Sequence, residues 1–163
     1  MSVIDSPLII PHSVIGMPDI NRLYREIELI ENFMGQDSVR LPGSQSKLPA
    51  TSRVMDDFCR QNSLNLLHAD DRQTVLVFFK QMKKKAPVLH ISFAVEASPS
   101  FITKIIVWSR ENIDPHVLVQ VGLAPSIIAG CVVRTTNKVF NFGLKQRFDD
   151  NKSILVEQIR TLG

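Results

Sequence analysis

The hydrophobic spacing of this chain changes period once, near Pro87, and that change limits the folds open to it. Before Pro87 the apolar residues recur every three or four positions, the period of a helix with one buried face. After it they recur every second position, the period of a half-buried strand. A run of helices followed by strands with helices between them reads as α+β. The expected layout is an extended N-terminal arm over 1–17, a helical domain of about three helices over 18–86, and a β-α-β-β-α domain over 87–163.

The helical part is punctuated clearly. In the arm, Pro7, Pro11 and Gly16 interrupt any helical period, and Leu8, Ile9 and Ile10 are expected to pin it to a surface. Pro18 opens the first helix, with Ile20, Leu23, Tyr24, Ile27, Ile30 and Phe33 on one stripe and Gly35 as its stop. Residues 36–49 hold Pro42, Gly43, Ser44, Ser46 and Pro49 and read as a loop. Thr51 or Ser52 caps a second helix to about Gln61, with Val54, Met55 and Phe58 inward. A third begins at Asp70-Asp71, carries Val75, Leu76, Phe78, Phe79 and Met82, and runs into Lys83-Lys84-Lys85 before Pro87. The lysine triplet reads as a solvated helix end rather than a phosphate-binding patch, because no aromatic residues interleave it.

In the second part Leu89, Ile91, Phe93 and Val95 alternate with polar or small residues, a strand over 88–96. Ser98-Pro99 then caps a helix that buries Ile102, Ile105, Ile106 and Trp108 and breaks at Asp114-Pro115. Val117, Val119 and Val121 mark the next strand, and 131–135 and 139–142 form a hairpin about an Asn137-Lys138 turn. From Gly143 onward Leu144, Phe148, Asn151, Leu155, Ile159 and Leu162 alternate steps of four and three, the seam of a long final helix.

Composition bounds the chemistry. With 44% hydrophobic and 21% charged residues the chain is globular, and its net charge of +3 selects no class of partner. The longest apolar run, Ile127–Val133, is far short of a membrane span, and Met1–Met17 lacks the basic residues of a secretory signal. Cys59 and Cys131 do not form a disulfide framework, so a reducing cytoplasm is expected. His12, His68, His90 and His116 show no metal-ligand spacing, although His90 and His116 fall on expected strands that could be neighbours. The adjacent pairs Asp56-Asp57, Asp70-Asp71 and Asp149-Asp150 splay apart on a helix and make no dyad. Cys131 sits in an apolar run, as a packed and inert thiol does. No nucleophile elbow or phosphate-cradling loop is present, so no catalytic residue, cofactor or metal is expected.

Residues 124–142, APSIIAGCVVRTTNKVFNF, carry a family likeness. This stretch resembles the C-terminal signature of the delta subunit of F-type ATP synthase, the bacterial counterpart of the oligomycin-sensitivity-conferring protein. There an aspartate-proline-serine-leucine-isoleucine-glycine-glycine run leads into a strand, a tight turn, a second strand and a final helix. Pro125, Ser126, Ile127, Ile128 and Gly130 match that run, Ala124 and Ala129 depart from it, and Val132, Val133, Arg134 and Val139 match the strands. The resemblance covers roughly residues 70–163 in element order. The helical part is shorter than the family's.

The resemblance implies a non-catalytic peripheral-stalk, or stator, subunit of a proton-transporting ATP synthase. One copy would join the alpha subunits of the catalytic head to the membrane-anchored b subunits, at the cytoplasmic face of the cell membrane, with no nucleic acid and no span of its own. Without that joint the head would turn with the central shaft and proton flow would not drive ATP synthesis. Two docking surfaces are expected: Ile20, Leu23, Tyr24 and Ile27 as part of a groove for an alpha-subunit helix, and Leu144, Phe148, Leu155 and Ile159 for the b stalk. Either stripe can instead fill the protein's own core. The alternative class is a small α/β RNA-binding module, against which stand the missing aromatic pair and GXXG loop.

Overall fold

The computed structural model describes residues 8–37, 49–127, 129–135 and 137–144. They form helices α1 (Met17–Asp37), α2 (Arg53–Gln61), α3 (Ala69–Lys85) and α4 (Pro99–Asn112), and strands β1 (Val88–Phe93), β2 (Leu118–Leu123), β3 (Cys131–Arg134) and β4 (Val139–Asn141). The fold is mixed α+β. The chain divides into two compact units, Met1–Pro87 with Thr103–Leu118, and Val88–Ile102 with Val119–Gly163. The first unit therefore holds α1–α3 and most of α4, a segment that the sequence reading groups with the strands.

The helices of the first unit form where their ends are satisfied. The Asp19 carboxylate accepts from the backbone N–H groups of Ile15 and Gly16 at 2.9 and 3.2 Å, closing the start of α1. Ser52 caps α2 through Oγ, which accepts from Met55 N at 3.2 Å. α3 begins with Asp70 and Asp71 and ends on the three lysines, charges that complement its dipole. Gly35 does not stop α1, which runs on to Asp37. A Cβ there would meet nothing within 4 Å, so this glycine lies inside the helix with no special backbone role.

Ile20, Leu23, Ile27 and Ile30 of α1, Met55 and Phe58 of α2, and Val75, Phe78, Phe79 and Met82 of α3 are buried together in the first unit. Phe58 lies 5.6 Å from Phe78 and 5.0 Å from Phe79 between ring centroids, and Phe78 and Phe79 are 5.4 Å apart. Each such side chain contributes about 1.5–3 kcal/mol by leaving water. Arg72 ties the outside of this core together: Nε donates to Glu31 at 2.5 Å, and Nη1 donates to Leu66 O and Leu67 O at 3.0 and 2.9 Å.

α4 starts as expected, with Ser98 Oγ accepting from Phe101 N at 3.4 Å. Its buried side is Ile106, Ser109 and Arg110, and Trp108 is exposed. Trp108 is out of phase with the inward residues, which follow one another at steps of three and four from Ile102.

The sheet of the second unit has the order β2-β1-β3-β4. Leu118 N donates to Pro87 O at 2.9 Å and Ala124 N to Phe93 O at 2.8 Å, an equal advance along both strands, so β2 runs parallel to β1. β3 is antiparallel to β1, with His90 opposite Arg134 and Phe93 opposite Cys131, and β4 is antiparallel to β3. Over 88–141 the order is β-α-β-β-β, one strand more than the expected shorthand, because the strand at Val119 and both hairpin arms all pair. β1 ends at Phe93 rather than 96, since its partner begins at Cys131 and leaves Val95 unpaired in the ladder and exposed. His90 is exposed on β1, whereas His116 precedes β2 in the chain and is no strand residue.

The hairpin turn closes one residue earlier than expected. Thr135 N donates to Lys138 O at 2.8 Å and Lys138 N to Thr135 Oγ1 at 3.1 Å, so Lys138 closes the turn instead of forming its tip. The expected final helix, with Phe148, Asn151, Leu155, Ile159 and Leu162, lies outside the described residues, as do Asp149-Asp150 and most of the 36–49 loop.

Candidate protein-docking surfaces

The hairpin holds the residues that carry the family likeness. Beyond β3 and β4 the pairing continues, with Phe142 N donating to Cys131 O at 2.8 Å and Leu144 N to Ala129 O at 2.9 Å. That register sets Gly130 opposite Gly143. Gly130 has φ +100°, and a Cβ on it would lie 2.3 Å from Phe142 O and 3.0 Å from the Gly143 Cα. Only glycine fits this crossing without moving the backbone. Gly130 O in turn accepts from Ala94 N at 3.3 Å, which anchors the pinch to the end of β1. Pro125 is the second residue of a turn in which Ile127 N donates to Ala124 O at 2.9 Å, a place suited to its fixed φ. Pro125, Ser126 and Arg134 are exposed and Ile127 is half-buried; Ile128 lies outside the described residues.

The same hairpin exposes apolar side chains. Val139, Phe140, Phe142 and Leu144 are all exposed, Phe140 at 44% and Leu144 at 46%, and the rings of Phe140 and Phe142 stack with centroids 6.4 Å apart. Of the four residues expected to meet the b stalk, Leu144 belongs to this patch, and Phe148, Leu155 and Ile159 lie outside the described residues. The sequence places Phe140 and Phe142 on a strand and does not say which side they cover. Aromatic residues at alternate positions of an edge strand were the available clue.

The four residues expected to dock a partner on α1 divide between core and surface. Ile20, Leu23 and Ile27 have no exposed area: they fill the unit's own core, and to dock a partner they would have to leave it. Tyr24 is half-buried and lines a groove of about 290 Å³ with Glu28, Leu76, Val77 and Lys80. Val77 is 51% exposed there. The groove is polar along both rims. Tyr24 is hydrogen-bonded to Glu28, which raises its phenol above the usual value, and Lys83 Nζ sits 4.2 Å from its ring centroid. Glu31 accepts from both Arg72 and Gln73 at one end. Val77 is the residue the helical stripe missed, because it falls beside the inward face of α3 rather than on it.

Neither thiol is poised to react. Burial, then Asp56, Glu26 and Asp71, push Cys59 up to about 11, and burial also raises Cys131. Among the described residues no group of His, Cys, Asp and Glu could hold a metal ion. No described helix is long and apolar enough to cross a membrane. No protein-family model matches the chain, and no curated protein matches it.

Proposed function

We propose that this chain is a non-catalytic peripheral-stalk subunit of F-type ATP synthase, of the delta type, that holds the catalytic head to the membrane-anchored b stalk. The observation that carries this reading is the Gly130–Gly143 crossing: the glycine of the 124–142 motif occupies a backbone position that no other residue fits. The motif builds a rigid hairpin, which is what a load-bearing joint needs from it. The residues around it offer apolar surface rather than an assembled reactive set, as Phe140, Phe142 and Leu144 do. In this reading the hairpin patch meets the b stalk. The groove of Tyr24, Leu76, Val77 and Lys80 takes over from the α1 stripe as the seat of an alpha-subunit helix. The protein then lies peripherally at the cytoplasmic face of the membrane and transforms no substrate.

The test is copurification of the native chain from its own cells at moderate salt. Alpha and b subunits should accompany it, and Val77→Asp should release the alpha subunits while Phe140→Asp releases b. Recovery of the chain free of every ATP synthase subunit would overturn the reading. Recovery with RNA, lost steeply as salt rises, would instead support the RNA-binding class.

A further inference from the structure

Residues 8–16 are held to the first unit by main-chain hydrogen bonds and by two buried side chains, Ile10 and Val14. Asn62 pairs with Ile9 in both directions, accepting from its N–H at 2.7 Å and donating to its carbonyl at 2.9 Å. His116 Nε2 lies 3.1 Å from Leu8 O. Arg110 makes the densest contact: Nη1 donates to Ile10 O and Pro11 O at 3.2 and 2.9 Å, and Nη2 to Val14 O at 2.6 Å. Its Nε points to Val117 O at 3.4 Å. The three arm carbonyls converge because Pro11–Val14 is a turn, with Val14 N donating to Pro11 O at 3.0 Å. Two apolar anchors sit under this clasp, Ile10 at 2% exposure and Val14 at 0%, while Ile9 and His12 face out.

Arg110 is itself buried, and burial lowers its guanidinium to about 10, so it stays charged at neutral pH. A buried cation without partners is costly. The arm carbonyls therefore stabilise Arg110 as much as Arg110 orders the arm. The core of Ile20, Leu23, Phe58, Phe78 and Phe79 is built from side chains of α1–α3.

We propose that residues 8–16 form a latch, closed by the planar fork of Arg110 acting as a positioning residue, and that the latch opens as one piece while α1–α3 remain folded. A guanidinium reaches several acceptors in fixed directions, whereas an ammonium on a flexible stem does not hold them in one arrangement. Opening uncovers the sites of Ile10 and Val14, which are buried in the closed state.

Native-state hydrogen exchange on the full chain tests this. In the unmodified protein the Val14 amide should exchange at least tenfold faster than core amides of α1 and α3, through an opening of its own; equal rates would overturn the latch. In Arg110→Met, protection over 8–16 should fall a further tenfold or more while helix amides keep theirs. Arg110→Lys should fail to restore it. Full rescue by lysine would remove the role of the fork, and an unchanged arm in Arg110→Met would remove the role of Arg110. If Arg110→Met does not fold, the rates in the unmodified protein decide.

Discussion

The two units handle apolar residues in opposite ways. In the first, three helices bury one continuous set of large side chains, and Phe58, Phe78 and Phe79 touch one another in its interior. In the second, Leu89, Ile91 and Phe93 are buried on β1, yet Val139, Phe140, Phe142 and Leu144 of the hairpin stand exposed. A helix has one apolar stripe and three neighbours can cover it. On this edge strand Val139 points to one side and Phe140 and Phe142 to the other, and both sides are open. The contrast teaches where each unit leaves apolar surface: the first closes a continuous core and leaves single residues such as Val77 and Trp108 open, and the second leaves a run of neighbouring hairpin residues open.

Phenylalanine truncation breaks or sharpens that contrast most strongly. Phe58→Ala should cost about 3–5 kcal/mol by opening a cavity among packed rings. Phe140→Ala should cost far less, about 1 kcal/mol, since the ring is largely open and its aromatic contact is the stacked Phe142. Urea unfolding of the two variants measures both; similar losses would erase the distinction.

The hairpin has its own rigid point. Gly130→Ala must shift Phe142 O and hold alanine at positive φ, with an expected loss of about 1–3 kcal/mol. At Gly143 a Cβ meets mainly the Asn141 Oδ1, 2.9 Å away, a side-chain atom that can move at the cost of its hydrogen bond from Gly143 N, so Gly143→Ala should cost about 1 kcal/mol. Thermal melts of the two alanine variants rank them.

At a helix end the expected effect is smaller. Ser52→Ala removes the acceptor for Met55 N and should cost about 1 kcal/mol. A further effect is a pH dependence at half-buried Cys59. Its thiol is raised to about 11, so between the unfolded thiol value of about 8.5 and 11 the folded state binds more protons. Stability contributed there is intact below that window and is lost as pH rises through it. A denaturation series from pH 8 to 10 should show a decline that Cys59→Ala reduces.

The helical half was legible in the sequence because caps and periods coincide there: Ser52, Asp70-Asp71 and Pro87 bound elements whose inward residues recur at helical steps. Gly35 misled, since glycine favours helix ends but is tolerated inside a helix. In the sheet, strand positions were readable and their pairing was not. The place where β1 stops depends on where β3 begins, which no local pattern encodes. The docking residues were the hardest to read. Ile20, Leu23 and Ile27 carry the pattern of any buried face, and period alone does not say whether a face is covered by the same chain or by another. Arg110 was invisible, because its acceptors are carbonyls from a segment distant in sequence, and carbonyls leave no trace in residue identity.

The parallel alignment of β1 and β2 bears on how the molecule assembles. β3 and β4 meet across a turn of a few residues, so they can zip up early and locally. β2 can come alongside β1 only after the chain has travelled through the whole of α4 and returned, a closure with a greater entropic cost. Mutations that unsettle α4 should therefore slow refolding more than those in the hairpin, and the ladders that β1 makes with β2 and β3 should set after the β3–β4 hairpin.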